Sequence, residues 1–122
     1  MPNLKSLVEY TIGKVSKQIN VKIDIDKTVH AGQQQTRPEN IVPINDNEII
    51  NTVNLALPTI ADMLIFDEIN MGSYVLIKQK NTNINIVGAL HPGVNDEIDF
   101  VVVTVMRKEN FMPKKGTKVI EI

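Results

Sequence analysis

From Ile98 to Met106 almost every position is apolar: Ile98, Phe100, Val101, Val102, Val103, Val105 and Met106. A strand covered on both faces has this pattern, which predicts a central strand over Phe100–Arg107. Thr104 is its one polar interruption. By alternation Thr104 shares a face with Ile98, Phe100, Val102 and Met106, and Arg107 points the other way unless a bulge intervenes. Upstream, Tyr74–Lys80 and Ile84–Leu90 read as strands separated by the turn Asn81-Thr82-Asn83. The turn formers His91-Pro92-Gly93-Val94-Asn95-Asp96 follow, so the three strands form an antiparallel meander. Thr117–Ile122 adds a last strand after Pro113 and Gly116.

The helical pattern is sharpest after residue 44. Asn45 caps, Glu48 completes a capping box, and Ile44 with Ile49 form a hydrophobic staple. Ile49, Val53, Ala56, Leu57, Ile60, Met63 and Leu64 keep one helical face as far as Phe66-Asp67, with a kink or tight break expected at Pro58. Residues 3–19 read as a second amphipathic helix, from Leu4, Leu7, Val8, Ile12, Val15 and Ile19. Val21–Asp26 alternates strictly, as a strand at the sheet edge does. Residues 28–43 are polar and irregular, with a short helical turn expected at 31–37. The expected architecture is therefore α+β. Two main helices, the second kinked at Pro58, pack on a four- to five-stranded, mainly antiparallel sheet.

The 122 residues suit one domain, and 43% apolar residues suffice for a core. No apolar run approaches the ~20 residues of a membrane span, and no signal peptide is visible. Cysteine is absent, which excludes disulfides, thiolate metal sites and cysteine nucleophiles. A formal charge of −1 provides no global field for nucleic acid, so any such binding needs a local patch. Arg107, Lys108, Lys114, Lys115 and Lys118 form one, opposed only by Glu109 and Glu121. The same lysines also suit solubility and edge protection.

The chain has two histidines, His30 and His91, and two arginines, Arg37 and Arg107. Histidine moves protons near neutral pH, and arginine forks onto phosphate. His30 and Arg37 share one polar segment, a sensible pair for a phosphodiester; read plainly, they are a solvated His and a surface Arg. Thr104 offers a hydroxyl, or is simply a strand former. Asp24 and Asp26 share a strand face but lack His or Cys partners for a metal. No phosphate loop, GxSxG, HExxH or aromatic stacking platform stands out.

The order of these parts resembles the barnase–EndoU–colicin–RelE superfamily, particularly its small phage-encoded members. The resemblance is carried by His30, Arg37, Ile44-Asn45-Asp46-Asn47-Glu48-Ile49 opening a helix, and Val102-Val103-Thr104-Val105 closing the meander. It covers about residues 21–107 within a RelE-like core of 21–122, with the helix 3–19 as an added element. What the resemblance implies is a metal-independent endoribonuclease or toxin-like effector without a cofactor, working in the cytoplasm, that of the host if phage-encoded. His30 would be acid or base, Arg37 the phosphate clamp and Thr104 a polar group at the site. Arg107, Lys108, Lys114 and Lys115 would bind RNA. Pro38-Glu39-Asn40 stands where such proteins often carry a second basic residue, and Gln33–Gln35 replace charged residues. The alternative is a catalytically inactive binding or phage-assembly module. Its protein partner, or a second copy of itself, would bind through the N-terminal helix or the C-terminal strand; no membrane partner is expected.

Overall fold

Phe100, Val102 and Val105 are fully buried in the core, and the strand that carries them lies inside a six-stranded sheet. The computed structural model describes residues 7–14, 17–40, 42–93 and 97–122. Chain order is β1 (Leu7–Lys14), β2 (Lys17–Lys27), α1 (Val29–Gln34), a 3-10 turn (Pro38–Asn40), α2 (Asp46–Ile65), β3 (Tyr74–Gln79), β4 (Ile84–Pro92), β5 (Glu97–Arg107) and β6 (Lys118–Glu121). The strands lie in the order β1-β2-β5-β4-β3-β6.

The fold is α+β, and the sheet is mixed. The pairs β1–β2, β3–β4 and β4–β5 are antiparallel, whereas β2–β5 and β3–β6 are parallel. Even the four-stranded portion β5-β4-β3-β6 is mixed. The meander expected over 74–106 is present, with β5 between β2 and β4.

In the described part of 3–19 the expected helix is replaced by strand. Residues 7–14 form β1, and residues 17–19 open β2; the remainder of that range lies outside the described residues. The segment supports two periods at once. Helical spacing selects positions 4, 7, 8, 12, 15 and 19, but alternation selects 8, 10 and 12. Val8, Tyr10, Thr11 and Ile12 are all strand-favouring types, and Gly13 weakens a helix. Register places positions 8, 10 and 12 opposite 23, 21 and 19, so the alternate positions of the two strands share one face. The hairpin also moves β2 inward. It is not an edge strand, because it pairs with β1 on one side and with β5 on the other.

α2 begins where its capping signals lie. The Asn45 side chain accepts from the Glu48 N–H at 2.8 Å, and the Glu48 carboxylate accepts from the Asn45 N–H at 3.2 Å. The helix runs unbroken to Ile65 with Pro58 inside it, so the proline does not divide the element. By length and composition α2 is apolar enough to cross a bilayer. Here Ile49, Val53, Ala56, Leu57 and Ile60 are buried in the core it shares with the sheet. From the sheet, Ile25, Val75, Ile77, Ile86, Phe100 and Val102 join them.

β2 stops at Lys27, opposite Val102, while β5 continues to Arg107. The chain covers the uncovered edge with α1 and the 3-10 turn. Thr28 N–H donates to the Val102 carbonyl at 3.0 Å. Val105 N–H then donates to Gln34 Oε1 at 2.9 Å, and Arg107 N–H to Asn40 Oδ1 at 2.8 Å. Two side-chain amides thus do what a neighbouring strand would do for a buried ladder.

Candidate functional site

A bulge in β5 decides which way Thr104 points. Val87 pairs with Thr104 and Gly88 with Val102, so Val103 is the extra residue. Before the bulge Phe100 and Val102 face the α2 side; after it Val105 does. Thr104 therefore leaves the face of Phe100 and Val102, where strict alternation places it, and joins Val87 on the face away from α2.

That second face is crossed by the segment 108–117. β6 runs parallel to β3, two strands from β5, so the connection must return along the sheet over β4 and β3. It is anchored on the way. Lys108 N–H donates to the Asn83 carbonyl at 2.8 Å, and the Asn85 amide donates to the Lys108 carbonyl at 2.8 Å. Lys78 Nζ donates to the Phe111 carbonyl at 3.1 Å. Thr117 N–H closes a turn on the Lys114 carbonyl at 3.1 Å, with Gly116 at φ 89° in the left-handed region that favours glycine.

Between this strap and the sheet lies a cleft of about 680 Å³, within the usual range for ligand pockets. His30, Thr104, Lys114 and Lys115 line it, with Tyr74 from the start of β3 and Phe111 from the strap. Among the described residues no Asp or Glu lines it. Two other clefts do carry carboxylates: Asp46 in one, Glu109 and Glu121 in the other.

His30 reaches the cleft because α1 is held firmly. Thr28 caps the helix, its Oγ1 accepting from Ala31 N–H at 3.1 Å. Ala31 is buried in the core, and Gln34 is tied to β5. Gln35 accepts from Lys27 Nζ at 2.7 Å and donates to the Ile44 carbonyl and to Asp46 Oδ1, each at 2.9 Å. Lys27 also pairs with Asp46 at 2.9 Å. Hydrogen bonds from Lys27 and Gln35 hold the Asp46 carboxyl below its ordinary value. Gln34 and Gln35, where charged residues were expected, are thus structural: their amides lock α1 between the sheet and the start of α2. His30 remains exposed on the helix.

Of the other expected site residues, Lys114 and Lys115 line the same cleft as His30 and Thr104, whereas Arg37, Arg107 and Lys108 do not. Arg37 is exposed beyond α1. Lys108 lines a neighbouring cleft. Arg107 is committed elsewhere. Its Nε donates to the Val42 carbonyl at 3.2 Å, Nη1 to the Thr82 carbonyl at 3.0 Å, and Nη2 to Glu48 at 3.0 Å. Burial pushes the Glu48 carboxyl up, but Arg107 and the Asn45 N–H outweigh it and the net displacement is downward. The Arg107 fork clamps the end of β5 to the start of α2. His91 is exposed on β4, opposite Asp99. Among the described residues no group of three His, Asp or Glu is placed to hold a metal ion.

Tyr74 was not singled out by the sequence, where it reads only as the first residue of a strand. Its place in the cleft depends on the strap, 37 residues away at Phe111, and no local signal connects them. No protein-family model matches the chain, and neither a characterised protein nor a solved structure matches it.

Proposed function

We propose that this domain cleaves RNA without a metal ion, as the barnase–EndoU–colicin–RelE resemblance implies, in a cytoplasm where RNA is at hand. One observation carries the proposal: His30, Thr104, Lys114 and Lys115, four residues expected at such a site, line one cleft, and among the described residues no carboxylate joins them in its wall. A polyanion meets cations there. His30 takes the proton from a ribose 2′-hydroxyl. The 2′-oxygen bonds to the adjacent phosphorus, and the bond to the 5′-oxygen breaks. The leaving oxygen takes a proton from water in the open cleft, so the products are a 2′,3′-cyclic phosphate and a 5′-hydroxyl. Lys114 and Lys115 hold the charge that develops on the phosphoryl oxygens, and the Thr104 hydroxyl donates to one of them. Lysines replace Arg37 as the phosphate clamp.

The test is RNA cleavage in EDTA. Loss of a general base typically costs on the order of 10²- to 10⁴-fold, so His30→Ala falls by about that factor. Equal rates for His30→Ala and wild type overturn the proposal.

Arg37 standing outside the cleft favours a second reading, a domain that binds RNA or a protein without cutting. β6 ends the sheet, and its Val119 is exposed, so its open edge is where a protein partner or a second copy adds a strand. Light scattering separates the two: a strict monomer that cleaves RNA excludes the second reading, and a dimer without cleavage supports it.

A further inference from the structure

The walls of the cleft beside His30 are not only cationic. Tyr74 is 52% exposed although it opens a strand of an otherwise well-covered sheet. Among the described residues its hydroxyl makes no hydrogen bond, and its ring is not part of the core cluster. Phe111 faces the same space from the strap, fixed there by the Lys78 bond to its own carbonyl. Val87 and Met112, the latter 80% exposed, extend this apolar wall. Tyr74 and Phe111 are two of the five aromatic residues in the chain, and the fold brings them to the cleft that holds His30.

A phosphate-binding site needs cations and hydroxyls; it does not need an aromatic wall. A nucleobase does, because its flat face is apolar and stacks on aromatic rings, while the phosphates on either side want lysine. Both requirements are met within one cleft, which His30 also lines. A base paired in a duplex has its faces covered by its neighbours, and only an unpaired base is free to enter.

We propose that Tyr74 and Phe111 seat an unpaired base of the RNA strand, next to the phosphate held by Lys114 and Lys115, and so restrict this site to single-stranded RNA. This rests on the reading of the cleft as an RNA site. Tyr74 is a positioning and specificity residue: it holds the base and thereby sets the ribose beside His30.

The experiment uses the full chain and a short single-stranded RNA carrying 2′-O-methyl groups, which cannot be cleaved, with 2-aminopurine as one base. Stacking quenches the 2-aminopurine fluorescence on binding. Loss of one base–aromatic stack weakens binding roughly 5- to 150-fold, so Tyr74→Ala binds more weakly by that factor and loses the quench. Tyr74→Phe keeps both, since the ring and not the hydroxyl is what stacks. A duplex of the same sequence binds weakly to wild type and equally to Tyr74→Ala. Thermal melting of each variant shows that the fold is retained, and Phe111→Leu provides a second, independent removal of a ring.

If wild type cleaves RNA but Tyr74→Ala binds and quenches as wild type does, the base seat is overturned and the nuclease reading stands. If binding depends on Tyr74 but no cleavage occurs, the seat stands and the nuclease reading falls. If wild type binds no single-stranded RNA, both fall.

Discussion

Gly88 lies directly against the ring of Phe100. A Cβ added at Gly88 would stand 2.2 Å from the ring, so no side chain fits without moving the aromatic. The contact occurs at the bulge, where Gly88 pairs with Val102, and Phe100 is among the largest fully buried side chains. Gly88→Ala therefore forces the ring or the strand to shift. Overpacking of this kind costs about 1–3 kcal/mol, and a correspondingly lower urea midpoint is the expected result. A midpoint equal to wild type would show that the Phe100 ring is free to move aside. The effect reaches the site as well, because the same bulge turns Thr104 toward the cleft. At this scale the sequence was informative about residue type and silent about direction. Thr104 stood out as the one polar position of an apolar strand, yet the inserted Val103 has no signature among four neighbouring β-branched residues.

α1 is only a six-residue helix, too short to be stable by itself, and it depends on what it touches. Its Gln34 supplies the acceptor for Val105 N–H at 2.9 Å, a donor that would otherwise be buried without a partner. Gln34→Ala removes the acceptor and keeps the helix-forming tendency. An orphaned buried donor costs about 1–3 kcal/mol. Amide exchange at Val105 accelerates accordingly, and more than at Thr28, whose N–H bond to the Val102 carbonyl is untouched. Unchanged exchange at Val105 would mean that this side-chain cap contributes nothing. The element also explains why a polar stretch that looks like a loop carries His30 so firmly. Gln34 and Asn40 complete the β5 edge, and Gln35 with Lys27 and Asp46 fastens the other side. The hairpin β1–β2 makes the opposite point: its residues satisfy helical spacing and alternation together, and the free edge of β5 settles the matter in favour of the strand.

At the scale of the whole molecule, the start of α2 contributes to acid stability. Asp46 and Glu48 both titrate below their ordinary values of 3.8 and 4.5, held down by Lys27 and Gln35 in one case and by Arg107 with the Asn45 N–H in the other. A carboxylate with a depressed folded pKa stabilises above its unfolded pKa and loses that stabilisation as pH falls through the folded value. Their contribution is therefore level down to about pH 4.5 and is lost below it, as both groups take up protons. Urea midpoints measured between pH 7 and pH 3 test this. Asp46→Asn lowers stability at pH 7 but flattens the decline; an equally steep decline in that variant would place the acid sensitivity elsewhere. These two ion pairs join β2 and β5 to α2, so the sheet and the helix come apart together.

What the sequence determined by itself is what local physics controls. The capping box at Asn45 and Glu48, the stripe from Ile49 to Ile60, the turn at 81–83 and the apolar density of β5 each act within a few residues and survive in the fold. His30, Thr104, Lys114 and Lys115, expected at a site from residue type and the family resemblance, line one cleft. The tertiary structure decided what depends on distant partners. It made strands of residues 7–14 and 17–19, added two parallel pairings, sent Arg107 to Glu48 and left Arg37 outside. It also brought Tyr74 and Phe111 to one cleft by returning the chain across β4 and β3. The physical reason is common to all of these. Hydrogen-bond partners of a strand and the walls of a cleft come from residues far along the chain, and no local pattern encodes which of them will meet.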